Sequence, residues 1–548
     1  MQINHAQSST TQSHLSVDTL ESPVSIAPIN EAVRLHQQGN VQAAQQIYEE
    51  ILQNDPQHFD AKHLLGVVYL QNCRYEEALQ NIQEALAIKP DNAAAYSNLG
   101  RVLHESKRWD EAVTSYDQAI RLQPNFAEAH YNKGNALREL KKFDDAIASY
   151  EAAIQHKHHY AEAYQNLGVI AQELRQIDKA IAHYDQAIAL KPNSAETHSN
   201  RGVALKAIHR IEEAIQAFDQ AIALQPNYAQ AYWNKSITLL LSGQYEEGWQ
   251  LFEWGWAAKQ RGTPRHLEYP LWTGVEPLNG KTILLHAEQG YGDDIQCCRY
   301  AKLVHDLGAT VILEVPTLLV DLFKGLEGVT TVIAQGQPIN HVDYQCPLMT
   351  LPLAFKTSLT SIPTQFPYLH ADSTKSEHWK HKLQPFTQKK IGLVWNGGFR
   401  PNQPESWQLN AERNVALDEF AKHLSHPNFA FISLQKGDPA ESEIRGQEDV
   451  YWPQGNFHNF ANELHSFSDT AALISNLDLV ISVDTSTAHL AAAMGKPVWI
   501  LNRYDNCWRW LLDTEHSPWY PSVRLYRQGP ERKWQPVLQQ VASDLLNL

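Results

Sequence analysis

Cysteine is scarce: five residues, Cys73, Cys297, Cys298, Cys346 and Cys507, in a chain of 548. The number is odd and no Cys-x-x-Cys spacing occurs, which argues against a disulfide framework and a thiolate zinc site. Long apolar runs are missing too; none approaches the roughly 18 residues a transmembrane helix needs. Positive charge is in short supply, with 45 Lys plus Arg against 61 Asp plus Glu, and both halves share the deficit. Neither half offers the basic surface that nucleic acid or an anionic membrane would need. The opening MQINHAQSSTTQSHLS lacks the basic-then-apolar order of a secretory signal. The expectation is therefore a cytoplasmic chain with no nucleic-acid partner and no membrane insertion. Tryptophan is sparse at first and frequent later: thirteen of the fifteen lie from Trp249 onward. The two halves are different material.

What the first half does have is a ruler. Residues 1–28, rich in Ser, Thr and Gln, read as a disordered lead-in. Prolines then recur every 34 residues at Pro56, Pro90, Pro124, Pro192 and Pro226, with His158 in the missing place. Gly66, Gly100, Gly134, Gly168 and Gly202 keep the same period, as do Ala78, Ala112, Ala146, Ala180, Ala214 and Gly248. Four positions further on stand Ile82, Tyr116, Tyr150, Tyr184, Phe218 and Phe252. Small residues let two helices of a hairpin approach, the bulky residue fills the groove, and the proline stops the second helix. The pattern resembles the tetratricopeptide repeat and predicts an all-α superhelix over about 29–261. Such arrays hold a protein or peptide in a concave groove. Asn98, Asn132, Asn166, Asn200 and Asn234, again 34 apart, are the candidate peptide ligands. A similar ladder in O-GlcNAc transferase holds backbone amides of the acceptor. A generic polar helix surface, or an array that only spaces or dimerises the chain, is the alternative.

After Arg261 the ruler stops. A connector (262–279) leads into short apolar runs that alternate with helical stretches: KTILLHAE, ATVILEVP, TTVIA and VDYQCPL, then KKIGLVW, FAFISLQ, DLVISVD, PVWILN and VRLYRQ. Two βαβ series separated by a polar linker (371–388) predict two Rossmann-like domains, 280–370 and 389–548, facing a cleft. Ligands in such sheets sit beyond the carboxyl ends of the strands. Four loops there carry candidate chemistry. HAEQGYGDDIQ places Gly290 and Gly292 in a tight turn and Asp293 at or beside a helix N-cap. The long loop WNGGFRPNQPESWQLNAERNV contains Asn396 and Arg413, a natural anion ligand. SLQKGD puts Gln435 and Lys436 at a strand tip. In VISVDTSTAHLAAAMGKPVWIL, Asp484 ends a strand, and Thr485, Ser486 and Thr487 open a helix. Backbone N–H groups converge there on an anion, and His489 lies one turn in.

These residues resemble the heptosyltransferase-like glycosyltransferases of family nine. The family's D-T-x-x-x-H-L-x-A-A element is matched by Asp484, Thr485, His489, Leu490, Ala492 and Ala493, and its G-D element by Gly292 and Asp293. The resemblance covers about 275–530. With the repeats, the whole looks like bacterial tetratricopeptide proteins that carry such a domain. It implies the GT-B fold, with a nucleotide-sugar held mainly by the C-terminal domain through Asp484, Thr485, Ser486 and His489. It further implies Asp293 as acceptor-side base and a basic phosphate ligand after the second domain's first strand, where Arg413 fits best. Trp508, Arg509 and Trp510 would wall the donor site or pack.

The chemistry also follows from first principles. A nucleoside diphosphate is a good leaving group, so transfer needs a base for the acceptor but no general acid, unlike hydrolysis. The diphosphate charge would be met by the Asp484–His489 helix start with Arg413 and Lys436. No Asp-x-Asp pair, no HExxH and no comparable ligand spacing appears among the 26 His. A metal-independent, inverting transfer without cofactor is expected, to a protein acceptor held by the repeats. A saccharide or lipid-linked acceptor is one alternative; a scaffold with a degenerate transferase domain is the other.

Overall fold

The computed structural model describes residues 23–398 and 411–548. The chain divides into two compact units, one ending at Leu205 and the other running Lys206–Leu548. In the first unit each 34-residue period is a helical hairpin, as in Ala93–Glu105 followed by Trp109–Leu122, or Ala127–Glu139 followed by Phe143–His156. A Cβ on Gly100 would stand 2.5 Å from Tyr116 Cε1, so only glycine lets the two helices touch there. Gly66 meets Ile82, Gly134 meets Tyr150 and Gly168 meets Tyr184 in the same way. A proline follows the last helical residue by two in most hairpins, as in Ile88 and Pro90, because its ring and missing N–H cannot continue the helix; after His156 the place is taken by His158.

The N-terminal boundary differs from expectation. A helix spans Pro23–Gln37, so residues 23–28 are helical rather than part of the lead-in; residues 1–22 lie outside the described residues. Ile29, Ala32 and Val33 pack on Ala44 and Tyr48; Pro23 stands at the first helical position, where its missing N–H costs no intrahelical bond, while Pro28 lies inside the helix.

The later boundary differs too. The last hairpins, through Ile211–Leu224, Ala229–Leu241 and Tyr245–Phe252, belong to the second unit. Tyr245 Oη accepts from Trp519 Nε1 at 2.9 Å, and Trp249 meets Trp508 edge-on at 5.1 Å. Trp249, Trp508 and Trp519 pack together at this junction, while Trp395 and Trp452 belong to the core of the second sheet.

The second unit holds two wholly parallel sheets. In the first, β1 (Thr282–His286), β2 (Thr310–Val315), β3 (Thr331–Ala334) and β4 (Tyr344–Pro347) lie in the order β3-β2-β1-β4. In the second, β5 (Lys389–Val394), β6 (Phe429–Ser433), β7 (Phe457–Asn459), β8 (Leu479–Val483), β9 (Val498–Asn502) and β10 (Val523–Arg527) run β10-β9-β8-β5-β6-β7. This is the doubly wound order, whose topological switch point lies between β5 and β8. In the first sheet the corresponding crevice lies between β1 and β4. Parallel strands covered on both faces read as continuous apolar runs, and β6 and β8 are buried throughout.

The expected linker is largely a helix, Ser373–Leu383, capped by Asp372 and anchored by buried Trp379 and Leu383. Its polar composition reflects one solvated face. Lys375 Nζ ties it to Asp469 at 2.7 Å. All five cysteines are free thiols. Among the described residues no helix is long and apolar enough to cross a membrane.

Candidate active site

The switch point of the second sheet is built from the loops after β5 and β8. Asn396 leaves β5 with its backbone gripped by the buried Gln435 side chain, which accepts from Asn396 N at 3.0 Å and donates to Asn396 O at 3.0 Å. Gln435, expected to touch the donor, is thus occupied in shaping the loop. Gly397 N donates to Asn414 Oδ1 at 2.8 Å, and the Arg413 guanidinium packs so closely on Gly397 that no Cβ would fit. Arg413 Nη1 donates to the Asp484 carbonyl at 3.1 Å. The two loops of the crevice are thereby stitched together with a guanidinium at the seam. Residues 399–410 of the long loop lie outside the described residues.

After Asp484, Thr485 caps the helix Ser486–Ala493, its Oγ1 accepting from Ala488 N at 3.3 Å. Ser486 and Thr487 are half-buried at the first turn, where the helix leaves N–H groups without helical acceptors. His489 is buried, stacks on Trp510 at 5.2 Å, and its Nδ1 lies 2.8 Å from Tyr520 Oη. Burial pushes the Tyr520 phenol well up, so it keeps its proton; with that proton donated to Nδ1, the His489 hydrogen would sit on Nε2. That nitrogen lies 3.8 Å from Asp484 Oδ1. Burial pushes the imidazole down to about 4 against the pull of Asp484; His489 is a neutral N–H donor at pH 7, not a cation.

The loop after β1 supplies the opposite wall. Asp293 is the third residue of the helix Tyr291–Cys297 rather than its cap, and Gly290 is the N-cap. Its Oδ2 accepts from Gly290 N at 2.9 Å, and its Oδ1 pairs with Arg509 Nη2. The carboxylate is held on both sides while lone pairs remain for an incoming hydroxyl. A Cβ on Gly292 would lie 3.0 Å from His489 Cδ2, so the first turns of two helices, one from each sheet, are in contact. Beside them Asp294 is buried, and burial with the neighbouring Asp293 and Glu288 charges pushes its carboxyl well up. Burial raises Glu288 to about 7 against the opposing pull of Arg261, with which it pairs.

Arg509 is the residue whose weight the sequence concealed. It was legible only as part of the NCWRWLLD stretch. In the fold it is buried, stacked on Trp508 at 4.3 Å, and bonded to Asp293, to Gln296 Oε1 at 2.6 Å and to Cys507 Sγ at 2.9 Å. Trp508 and Trp510 are themselves core residues.

Other expected residues are not gathered here. Lys436 Nζ instead donates to Ala461 O at 2.7 Å and lies 3.6 Å from Glu441. Asn98 is buried, donates to His63 Nε2 at 2.9 Å and accepts from Arg101 at 3.4 Å. Asn166 is buried as well, accepting from Arg138 at 3.1 Å and donating to Asn135 at 2.9 Å and Tyr131 Oη at 3.2 Å. These two amides join neighbouring repeats rather than standing open in a groove. Asn132 and Asn200 are half-buried. Asn234, in the second unit, accepts from Gln230 at 3.1 Å. A ligand cluster that no sequence spacing announces does form: His266, His286 and Glu314 bring one ligand atom each within 4.8 Å of one another.

Comparison with known proteins agrees with this division. Residues 35–80, 74–107, 100–137, 127–160, 173–208 and 195–228 match models of the tetratricopeptide repeat. Residues 434–536 match the model of glycosyltransferase family 9 (heptosyltransferase). That stretch holds Gln435, Lys436, the Asp484–His489 turn and Arg509. Protein FlbA of Caulobacter vibrioides is 27% identical over 300 residues, 50% of this chain and 48% of FlbA. The chain thus spans about half the length of that curated relative. Among solved structures, MamA is 23% identical over 29% of this chain and 94% of its own, with a TM-score of 0.28. YrrB, a TPR protein, is 22% identical over 34% and 94%, with a TM-score of 0.29. The chain carries tetratricopeptide repeats, and its residues 434–536 are similar to the glycosyltransferase family 9 domain.

Proposed function

We propose that the chain is a glycosyltransferase of GT-B type that moves a sugar from a nucleoside-diphosphate sugar to an acceptor with inversion. The observation that carries this reading is the contact between two helix starts at Gly292 and His489, each following a parallel strand at its sheet's carboxyl end. The donor diphosphate lies against the first turn of Ser486–Ala493, where Thr485, Ser486 and the His489 Nε2–H meet it. Arg413 supplies positive charge from the loop after β5, where Asn396 also faces the donor. The protein's own charges and N–H groups neutralise the leaving diphosphate, without an ion bridging it. Lys436 would serve only after leaving the Ala461 carbonyl.

Asp293 is the base. It takes the acceptor hydroxyl proton as the oxygen attacks the anomeric carbon, while the bond from that carbon to the diphosphate oxygen breaks and its electrons leave with the diphosphate. Arg509 positions the carboxylate through their ion pair. The repeats support protein partners, and the acceptor is proposed to be a protein they recruit. Because Asn98 and Asn166 are committed within the array, recognition falls on its other polar groups, including Asn132, Asn200 and Asn234.

The test is transfer of radiolabelled sugar from UDP-, GDP-, ADP- and dTDP-sugars to proteins of a cell extract, with and without chelator. Labelling by the full chain that Asp293→Ala abolishes while donor binding persists is the expected result. Equal turnover by Asp293→Ala would remove the base assignment. Absence of both donor binding and labelling by folded protein would overturn the enzyme reading in favour of a scaffold.

A further inference from the structure

Among the described residues, one side-chain cluster is left unused by the proposed transfer. His286 ends β1, and Glu314 is its direct partner on β2, so both stand at the carboxyl edge of the first sheet. His266 reaches them from the connector, its ring 4.9 Å from that of His286. Glu314 and His286 are each about 1% exposed, and a carboxylate so buried needs cationic partners.

The tautomer of His286 is informative. Its Nε2 lies 2.8 Å from the Oε1 of buried Gln345, so Nε2 donates and the lone pair is on Nδ1. That Nδ1 is buried and has no hydrogen-bond partner. A carbonyl oxygen holding one ring nitrogen so that the other presents a lone pair is the outer-sphere arrangement of metal-ligating histidines. His266 Nε2 and Glu314 Oε2 already stand 2.9 Å apart. Ligand atoms about 2.0–2.1 Å from a tetrahedral zinc ion are separated by about 3.3 Å, so the spread of this cluster needs only side-chain adjustment. Arg265 Nη1 lies 2.7 Å from the same Glu314 Oε2, while Gly336 N approaches Oε1 at 3.5 Å. Arg265 also donates to Ala287 O at 2.6 Å through Nη2, giving its guanidinium a second anchor if Glu314 turns to a metal.

We propose that His266 Nε2, His286 Nδ1 and Glu314 Oε2 form a three-ligand site for a divalent transition ion of the zinc class, with Arg265 competing for Glu314. Two histidines and one carboxylate leave a fourth position for solvent or a ligand oxygen. The ion would pin the connector to the sheet edge from which the Asp293 loop departs. It is distinct from the diphosphate site and does not depend on the transferase reading.

The experiment uses the full chain, stripped with chelator and titrated with Co2+, reading the intense visible bands of a tetrahedral complex; Zn2+ competition gives affinity. One such ion per chain is expected. Weak octahedral binding to the remaining histidines of the 26 lacks these bands. His266→Gln and Glu314→Gln should each abolish the bands with unchanged circular dichroism. Gln345→Leu should weaken binding roughly tenfold to a hundredfold, as loss of an outer-sphere partner does. Arg265→Gln should tighten it severalfold, a gain that misfolding cannot imitate. No tetrahedral bands in the wild-type chain, or bands unchanged in His266→Gln, would overturn the site. Arg265→Gln binding no more tightly would overturn the competition.

Discussion

The pairing of Asp293 with Arg509 links the loop after β1 to the loop after β9, so its loss should be felt in both sheets at once. The partner side chains are 18% and 10% exposed, which places the pair near the buried limit. Arg509→Gln leaves Asp293 with only the Gly290 N–H, and Asp293→Asn leaves a buried guanidinium without its counter-charge. Removing one member of a buried pair costs about 3–5 kcal/mol, and residual exposure favours the low end. Asn at 293 can still accept from Gly290, so the double variant Asp293→Asn, Arg509→Gln loses the pair without an orphan charge. It should therefore be more stable than the sum of the single losses predicts, with a coupling of about 2 kcal/mol, inside the range for contacting residues. Urea unfolding followed by tryptophan fluorescence suits the measurement, because fourteen of the fifteen Trp lie in the Lys206–Leu548 unit and only Trp109 lies outside it. Additivity within about 0.5 kcal/mol would refute the pair as the joint between the two loops.

Further outcomes follow from the same geometry. Gly100→Ala puts a methyl 2.5 Å from Tyr116 Cε1 and should cost about 1–3 kcal/mol by overpacking, seen as a lower midpoint of the helical signal in thermal circular dichroism. His489 has a folded value pushed to about 4 from an ordinary 6.5, so below 6.5 the unfolded chain binds the extra proton and stability falls. This contribution is complete above pH 6.5 and is lost between there and about pH 4, amounting to about 3 kcal/mol at 1.36 kcal/mol per unit. His489→Gln should flatten that part of a urea-midpoint profile against pH; an unchanged acid limb would exclude His489 as its source. Gln435→Leu strips both hydrogen bonds from the Asn396 backbone, each unsatisfied group costing about 1–3 kcal/mol. It should lower the urea midpoint and weaken donor binding together; an unchanged midpoint would show the grip on Asn396 to be dispensable.

The hairpin array was readable because its constraint is local and periodic. Glycine opposite a bulky residue and proline after a helix are demands that each period meets within its own 34 residues. Even there one repeating feature is silent. Cys73, Lys107, Lys141, Arg175 and His209 all take positive φ near 60° between the hairpin helices, in the register where Gly39 and Gly243 stand. Five non-glycine residues in that conformation leave no mark in composition. The strands were legible as apolar runs, but the order within each sheet was not, since strand pairing is a long-range choice.

The sequence by itself determined the repeat, the alternation of strands and helices, and the loops in which polar residues follow core strands, because these rest on spacing between near neighbours. Only the tertiary structure decided which candidates act together. It set Asp293 against Arg509 and Gly292 against His489, turned Gln435 and Asn166 inward to hold backbone and neighbouring repeats, and gathered His266, His286 and Glu314. Partners as distant as Asp293 and Arg509, 216 residues apart, are chosen by how two sheets and their helices pack, and burial then fixes which side chains carry charge, which stay neutral and which are committed within the fold.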